Sequence, residues 1–403
     1  MGDRMLQLQV INFKPNSYIV VEGKSDSDRF FIIQKGLVSC FKSSGTGIKP
    51  FTLGPGDFVG VVPCMSGHLQ IETAIARTEV TAISVRKEQY SELIKNNTPV
   101  AIKIIKTFAA RMRQMNEMLT QATLNTIVKE NNEQIFRVAQ YYEKTQRLDI
   151  AVFAYYQYLK TKPVGPNAET AKQRFVSLKN RTHAVYFEPT PELTRTYPKD
   201  TMVFAESSTG KDMFIIQSGE VSITKVVDGN EVTLAVLQKG AMFGEMALLE
   251  NKPRSASAIT HSDCKLMVIN NANFNNMVAT QPQLISSLTN TLAERLWSMY
   301  RQLDNANIKN PYQKMVDMLS LQIEKQNIDL TTLINKSQST ELTIKDLANM
   351  CGIAYEQQPK AMYEFQQCPL VKFENQKIII KDIPELLKQA AFYRKQKQQQ
   401  DQN

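Results

Sequence analysis

The run Phe31-Ile32-Ile33-Gln34-Lys35-Gly36 returns as Phe214-Ile215-Ile216-Gln217-Ser218-Gly219. The flanks repeat with it. Phe13-Lys14-Pro15-Asn16 and Tyr18-Ile19-Val20 precede the first copy; Tyr197-Pro198-Lys199-Asp200 and Met202-Val203-Phe204 precede the second. Downstream, Leu53-Gly54-Pro55-Gly56-Asp57-Phe58 is answered by Leu237-Gln238-Lys239-Gly240-Ala241-Met242-Phe243. Short β-branched and aromatic runs broken by Gly, Pro, Asn and Asp predict about eight antiparallel strands per copy, in a barrel or jelly roll. Asp228-Gly229 between two alternating runs is a hairpin signal. A helix closes each copy, from Pro99 to about Leu119 and from Pro282 to about Leu303. The repeat spacing is too long for a solenoid, so a domain has been duplicated with something between the copies.

The chain has 403 residues, 42% hydrophobic and 22% charged, with a formal net charge of +9. At roughly 150 residues per domain, that length predicts more than one domain. No apolar run is long enough for a membrane span, and the first residues show neither a signal core nor a myristoylation pattern. Cys40, Cys64, Cys264, Cys351 and Cys368 form no CxxC pair, which argues against a disulfide framework or structural zinc and for a reducing cytoplasm. His68, His183 and His261 are isolated and leave little for metal or acid–base chemistry. Gly23-Lys24-Ser25 and Gly210-Lys211-Asp212 lack the upstream glycine of a P-loop. The expectation is a cytoplasmic protein, without metal, that is not an enzyme.

Between the copies, Phe136, Ala139, Tyr142, Ala151, Phe153, Ala154 and Tyr158 recur at helical spacing, with small alanines that let two helices approach. The pattern is similar to one tetratricopeptide-like hairpin. A single such repeat cannot bury its own face, so it is expected to pack on a neighbouring domain. It serves either as a spacer or as a surface for a protein partner.

The chemistry concentrates in Phe243-Gly244-Glu245-Met246-Ala247-Leu248-Leu249 and Pro253-Arg254-Ser255-Ala256-Ser257-Ala258. Gly244 and Ala247 permit close backbone approach, and exposed N–H groups of a short helical turn can face an anion. Arg254 offers a donor fork suited to phosphate and Ser255 a hydroxyl, while Glu245 can accept from a sugar hydroxyl. Together these residues resemble the phosphate-binding cassette of cyclic-nucleotide-binding domains, and the resemblance extends over about residues 190–303. It implies a cyclic nucleotide held by Gly244, Glu245, Met246, Ala247, Leu248, Arg254, Ser255 and Ala256. Glu245 would take the ribose 2′-hydroxyl, and Arg254 with Ser255 the cyclic phosphate. Ala293-Glu294-Arg295-Leu296 resembles the dimer helix of Crp/Fnr-type (catabolite-activator) regulators, which places Arg295, Met299 and Tyr300 toward the ligand. Met299 and Tyr300 stand where cAMP-binding members carry hydroxyl residues, a departure that leaves the base open; the family resemblance makes cAMP the first expectation and cGMP the second.

The first copy departs from the cassette: Val61 stands for Glu245, Pro63 for Ala247 and Glu72 for Arg254. Losing an arginine bond to phosphate removes about 1.5–3 kcal/mol. A carboxylate in its place adds a repulsion of about 4 kcal/mol at ~4 Å. Combined, roughly 5 kcal/mol or more is at least three to four decades of affinity. The first barrel is therefore expected to serve dimerisation and packing and not to bind a cyclic nucleotide.

The C-terminal segment reads as three helices and a hairpin, the outline of a winged helix. Leu342 to Ile353, with Ala348 and Gly352 four apart, has the turn of a helix-turn-helix, and Lys377-Ile378-Ile379-Ile380 resembles the wing of the same regulators. The recognition segment is degenerate. Lys360 is its one basic residue, Glu356 and Glu364 lie beside it, and Pro359 falls where it should break the helix. Lys345, Tyr355, Glu356, Gln357, Lys360 and Lys377 are the residues expected at DNA, if DNA is bound.

The expected architecture is α+β and multidomain. It comprises a degenerate cyclic-nucleotide-binding-like domain (1–122), a helical linker (123–182), a cyclic-nucleotide-binding domain (183–308), a winged helix-turn-helix-like domain (309–393) and a disordered tail (394–403). Two functions follow. One is a cyclic-nucleotide-responsive transcription regulator, acting as a homodimer or an intrachain pseudo-dimer on DNA. The other is a cyclic-nucleotide sensor or scaffold acting through protein partners. Neither involves a membrane.

Overall fold

In a computed structural model, the described residues are 7–42, 48–124, 132–183, 188, 190–227, 229–250, 252–326, 337–353 and 355–400. The first copy forms β1 (Gln9–Phe13), β2 (Tyr18–Val20), β3 (Arg29–Lys35), β4 (Val38–Phe41), β5 (Phe51–Leu53), β6 (Phe58–Val59), β7 (Thr73–Ala76) and β8 (Val80–Arg86). Helix α1 (Val61–Ser66) interrupts these strands, and α2 (Tyr90–Asn96) and α3 (Thr98–Leu124) follow them. A linker of three helices comes next: α4 (Asn132–Lys144), α5 (Leu148–Lys160) and α6 (Pro166–Lys179). The second copy forms β9 (Thr194–Tyr197), β10 (Met202–Phe204), β11 (Met213–Ser218), β12 (Val221–Val227), β13 (Asn230–Leu237), β14 (Met242–Phe243), β15 (Ser257–Thr260) and β16 (Cys264–Ile269). Its helices are α7 (Glu245–Glu250), α8 (Asn271–Thr280) and α9 (Pro282–Ala306).

The repeat in sequence is a repeat in topology. The first copy pairs its strands as β1-β8-β3-β6 and β2-β7-β4-β5; the second as β9-β16-β11-β14 and β10-β15-β12-β13. All described pairings in both are antiparallel. The glycine ending each copy of the opening motif has a mechanical reason. Gly36 and Gly219 sit at φ +94° and +86°, and a Cβ on either would lie 2.2 Å from a backbone carbonyl, of Glu79 or Asp263. Only glycine turns the chain there. Strands β12 and β13 meet at Val227 and Asn230, as the hairpin signal predicted, with Asp228 itself outside the described residues.

The chain divides into two compact units that do not follow sequence order. One contains Met1–Asn96, Gln114–Thr126 and Leu292–Asn403; the other contains Asn97–Arg113 and Ile127–Thr291. The first barrel is therefore grouped with the later part of α9, and the second barrel with the earlier part of α3.

Within the second unit, the linker helices share one core with the barrel. Ile135, Ala139, Tyr142, Ala151 and Tyr158 cluster with Met202, Ala205, Val226 and Ile259. Polar contacts fix the register: Gln134 Nε2 donates to Val226 O (2.6 Å), and the Tyr142 hydroxyl donates to Glu231 (2.7 Å). The linker thus packs on a neighbouring domain, as its unpartnered face required.

Within the first unit, α10 (Pro311–Glu324), β17 (Gln338–Thr343), α11 (Ile344–Met350), α12 (Gln358–Gln366), β18 (Val371–Glu374), β19 (Lys377–Ile380) and α13 (Ile383–Gln400) complete the chain, with sheet order β17-β19-β18. Two expectations are corrected. Pro359 does not break a helix, because a 3-10 turn (Tyr355–Gln357) precedes α12 and puts Pro359 in its first turn, where no amide donor is needed. Residues 394–400, expected as a disordered tail, are the last turns of α13.

Arg394 explains the longer helix. It pairs with Asp317, which has no solvent exposure, and with Glu324 at 3.6 Å. Asp317 also meets Arg301 of α9 at 3.3 Å and accepts from Asn305 Nδ2 at 3.1 Å. Burial pushes the Asp317 carboxyl up, but Arg301 and Arg394 more than reverse this and hold it below its ordinary value. Asp317→Ala would leave Arg301 and Arg394 to share Glu324, so urea unfolding of this unit should lose up to about 3–5 kcal/mol. A depressed carboxyl contributes its full stability above its unfolded value near 3.8 and loses it as pH falls through the lower folded one. Acid unfolding of the wild type should therefore shift to higher pH in the variant less than neutral stability alone would suggest, because the variant has lost this acid-sensitive part.

Candidate functional site

The cassette of the second barrel opens with a left-handed glycine. Gly244, at φ +78°, turns β14 into the single-turn helix α7, and a Cβ there would come within 2.7 Å of Arg254 Nη1. Glu245 begins α7 and is 1% exposed; Met246, Ala247 and Leu248 are buried behind it. Ala256 is buried, and the Ser255 hydroxyl lies 3.5 Å from Met246 Sδ. The structure thus brings Gly244, Glu245, Met246, Ala247, Leu248, Arg254, Ser255 and Ala256 together on one barrel.

Arg254 is the unusual group. Its side chain is buried, with Nη1 donating to Gly244 O (2.8 Å) and Nη2 to Asp212 O (2.7 Å). The guanidinium lies 4.1 Å over the Phe204 ring, and Nε is buried without a hydrogen-bond partner. Burial pushes its pKa down to about 10, while Asp212 and Glu245 pull the other way; it stays a cation at neutral pH. Its backbone is clamped as well: Ser207 N donates to Arg254 O (2.8 Å) and Arg254 N to Ser208 O (2.9 Å). Ser207 adopts φ +62° to make that clamp. Beside Arg254 lies a cavity of about 310 Å³ lined among others by Phe153, Lys160, Arg195, Phe204 and Asp212; of the cassette residues it includes Arg254 alone. Sequence reasoning missed Phe204, Ser207, Gly210 and Asp212. Gly210 carried the one available signal, since a Cβ there would meet the guanidinium at 2.5 Å.

Arg295, Met299 and Tyr300 are not grouped with this barrel. They lie in the stretch of α9 assigned to the first unit, where the Tyr300 ring sits 5.9 Å from Lys42 Nζ.

The first barrel repeats the local geometry without the chemistry. Gly60, at φ +74°, opens α1 as Gly244 opens α7. A Cβ on Gly60 would meet Val20 at 3.5 Å and the Gln70 side-chain amide at 3.7 Å. His68 stacks on Trp297 with centroids 3.7 Å apart and bonds Glu294 through Nε2 at 2.8 Å. Gln70 is buried and donates to Asp26 O, and Glu72, in place of the arginine, is buried too. One ion pair is common to both barrels: Lys42 meets Glu22 at 3.5 Å, and Lys225 meets Glu206 at 3.5 Å. In the first barrel Lys42 also reaches Asp304 of α9 at 2.8 Å.

Among the described residues, no cluster of His, Cys, Asp or Glu could hold a metal ion. No helix there is long and apolar enough to cross a membrane. All five cysteines are buried free thiols, and burial pushes the Cys64 thiol up to about 12.

The class defined by this fold and cassette agrees with the sequence comparisons. The family model "Cyclic nucleotide-binding domain" matches residues 10–97 and 194–281; the chain carries that domain twice. The "CRP-like cAMP-activated global transcriptional regulator" of Mycobacterium tuberculosis is 25% identical over 205 residues, 48% of this chain and 86% of that protein. The "Cyclic AMP receptor protein" of Thermus thermophilus is 32% identical over 111 residues, 27% of this chain and 51% of that protein. A "cAMP-dependent protein kinase regulatory subunit" of Pyricularia oryzae is 31% identical over 85 residues, 21% of each.

Because the first barrel carries the buried Glu72 where the cassette arginine would stand, His68→Leu should leave cyclic-nucleotide affinity within twofold of wild type. It should change the emission of Trp297, the single tryptophan in the chain. Calorimetry with cAMP and steady-state fluorescence check the two halves.

Proposed function

We propose that this chain is a cyclic-nucleotide sensor whose second barrel takes the ligand and whose first barrel does not. The observation that carries the reading is the buried, still cationic Arg254, hydrogen-bonded to two carbonyls and set beside Glu245 and Ser255. The cyclic phosphate would be held by Arg254 and Ser255, and the ribose 2′-hydroxyl by Glu245. cAMP is the proposed ligand, on the strength of the cAMP-linked names of the relatives; cGMP is the alternative.

The elements after α9 supply the output, read as a winged-helix-like domain. The transcription-regulator reading rests on the similarity to CRP-like regulators. The charge of the domain favours the other reading, a protein partner. From 338 to 393 there are six lysines and seven carboxylates and no arginine, whereas duplex binding leans on a basic field. Lys372 is paired to Glu374 at 2.7 Å, Lys360 lies 4.0 Å from Glu364, and Lys381 donates to Pro369 O. Lys345, Glu356 and Gln357 are exposed, and Lys377 is half-buried. The side chain of Tyr355 lies outside the described residues. Tyr363 is 67% exposed on α12, an aromatic better suited to a protein contact than to phosphate.

Calorimetry should give one cAMP site per chain. Arg254→Gln should weaken it at least tenfold, since an arginine bond to a phosphate is worth about 1.5–3 kcal/mol and each 1.4 kcal/mol is tenfold. Two sites per chain, or unchanged affinity in the variant, would overturn this assignment.

A further inference from the structure

The second barrel is grouped with a helix that is not its own. Residues 98–113 of α3, the helix that closes the first copy, belong to the unit that holds the second barrel. Their buried positions Ala101, Ile104, Ile105, Phe108, Ala109 and Met112 form one helical stripe. At the end of that stripe is Arg113, 4% exposed, whose Nη2 donates to Pro253 O at 2.9 Å. Pro253 is the residue immediately before Arg254.

We infer that Arg113 is a positioning residue for the nucleotide site: by holding the Pro253 carbonyl it fixes the entry of the cassette strand and so the placement of Arg254. The peptide bond that ends in Arg254 N is thereby held at both ends. Its carbonyl is taken by Arg113, and its amide is donated to Ser208 O at 2.9 Å. A charge-assisted bond to a backbone carbonyl suits this task, because it is strong, directional and carried by a planar fork on a rigid helix. Proline at 253 has no amide to donate and a fixed φ, so its carbonyl is the polar handle the segment offers at that point. The same helix continues beyond Arg113 as Gln114–Leu124 in the other unit. A change of the cassette on ligand binding therefore acts on α3 directly and is carried along one continuous helix.

This inference rests on the proposed nucleotide site, and the test separates the two. Arg113→Met and Arg113→Lys are compared with wild type in the full chain. Amide hydrogen exchange without ligand should show faster exchange across 254–258 in Arg113→Met, near wild-type exchange in Arg113→Lys, and no change in β3 and β4 of the first barrel. With cAMP, Arg113→Met should bind about tenfold more weakly and Arg113→Lys within about threefold. Equal exchange in all three proteins would overturn the positioning role whether or not nucleotide binds. So would altered exchange everywhere, which would make Arg113 a general packing residue. A wild type that binds no cyclic nucleotide would overturn the site, while the exchange data would still decide what Arg113 does.

Discussion

At Arg254 a guanidinium has been taken out of water and hydrogen-bonded to two carbonyls, with the carboxylates of Asp212 and Glu245 near enough to favour its charge. Among the described residues it makes hydrogen bonds to Gly244 O and Asp212 O and no ion pair. Dipoles offset part of the dehydration cost of a charge but not all of it. The remaining demand is for an anion, and much of the second barrel is arranged around it. Two glycines, Gly244 and Gly210, have no side chain because the guanidinium occupies that space. Ser207 accepts a left-handed backbone so that its amide can hold the Arg254 carbonyl. Phe204 lends its ring face. Phe204 also packs on Phe214 and Phe243 in the barrel core, and Gly244 also makes the left-handed turn into α7, so the arginine shares these positions with the scaffold.

The first barrel shows what the same scaffold does when that demand is removed. With Glu72 in place of arginine, nothing calls for an anion. His68, Trp297 and Glu294 form a closed set: a stacked pair of rings and a hydrogen bond to a carboxylate. The lysine–glutamate pair near each barrel's turn survives in both copies, which marks it as part of the scaffold and not of the ligand site. In the second barrel its glutamate is fully buried, and burial raises that carboxyl despite the lysine. Lys42 has acquired a further partner in Asp304, so the first barrel grips α9 at two points along its length.

The repeat and the cassette were legible because local rules write them: period-two runs, a glycine at each forced turn, and a short motif of mixed chemistry. The supports of Arg254 were not, since carbonyl oxygens belong to every residue and carry no sequence signature. Arg113 could not be read at all; its partner lies 140 positions away in the other copy. Arg295, Met299 and Tyr300 were assigned by analogy to the barrel they follow, yet helices of 27 and 25 residues rise about 40 Å at 1.5 Å per residue. That is longer than one small barrel needs, and the excess is where each helix enters the other unit. The C-terminal helix ran past its expected end because Arg394 has a buried carboxylate to reach, a tertiary reason that outweighs a Lys/Gln-rich composition.

Placing both copies on one polypeptide has a consequence for dose and response. Regulators assembled from separate subunits tie their state to their own concentration, because dilution dissolves the pair. Here the partner copy is covalently attached and present at a fixed effective concentration whatever the abundance of the chain. If the second barrel alone takes the ligand, as proposed, each polypeptide has one receptive pocket and occupancy has no second site on the same chain to cooperate with. Activation would then rise as a simple hyperbola in messenger concentration, trading the sharp threshold of a two-site switch for a graded reading over a wide range.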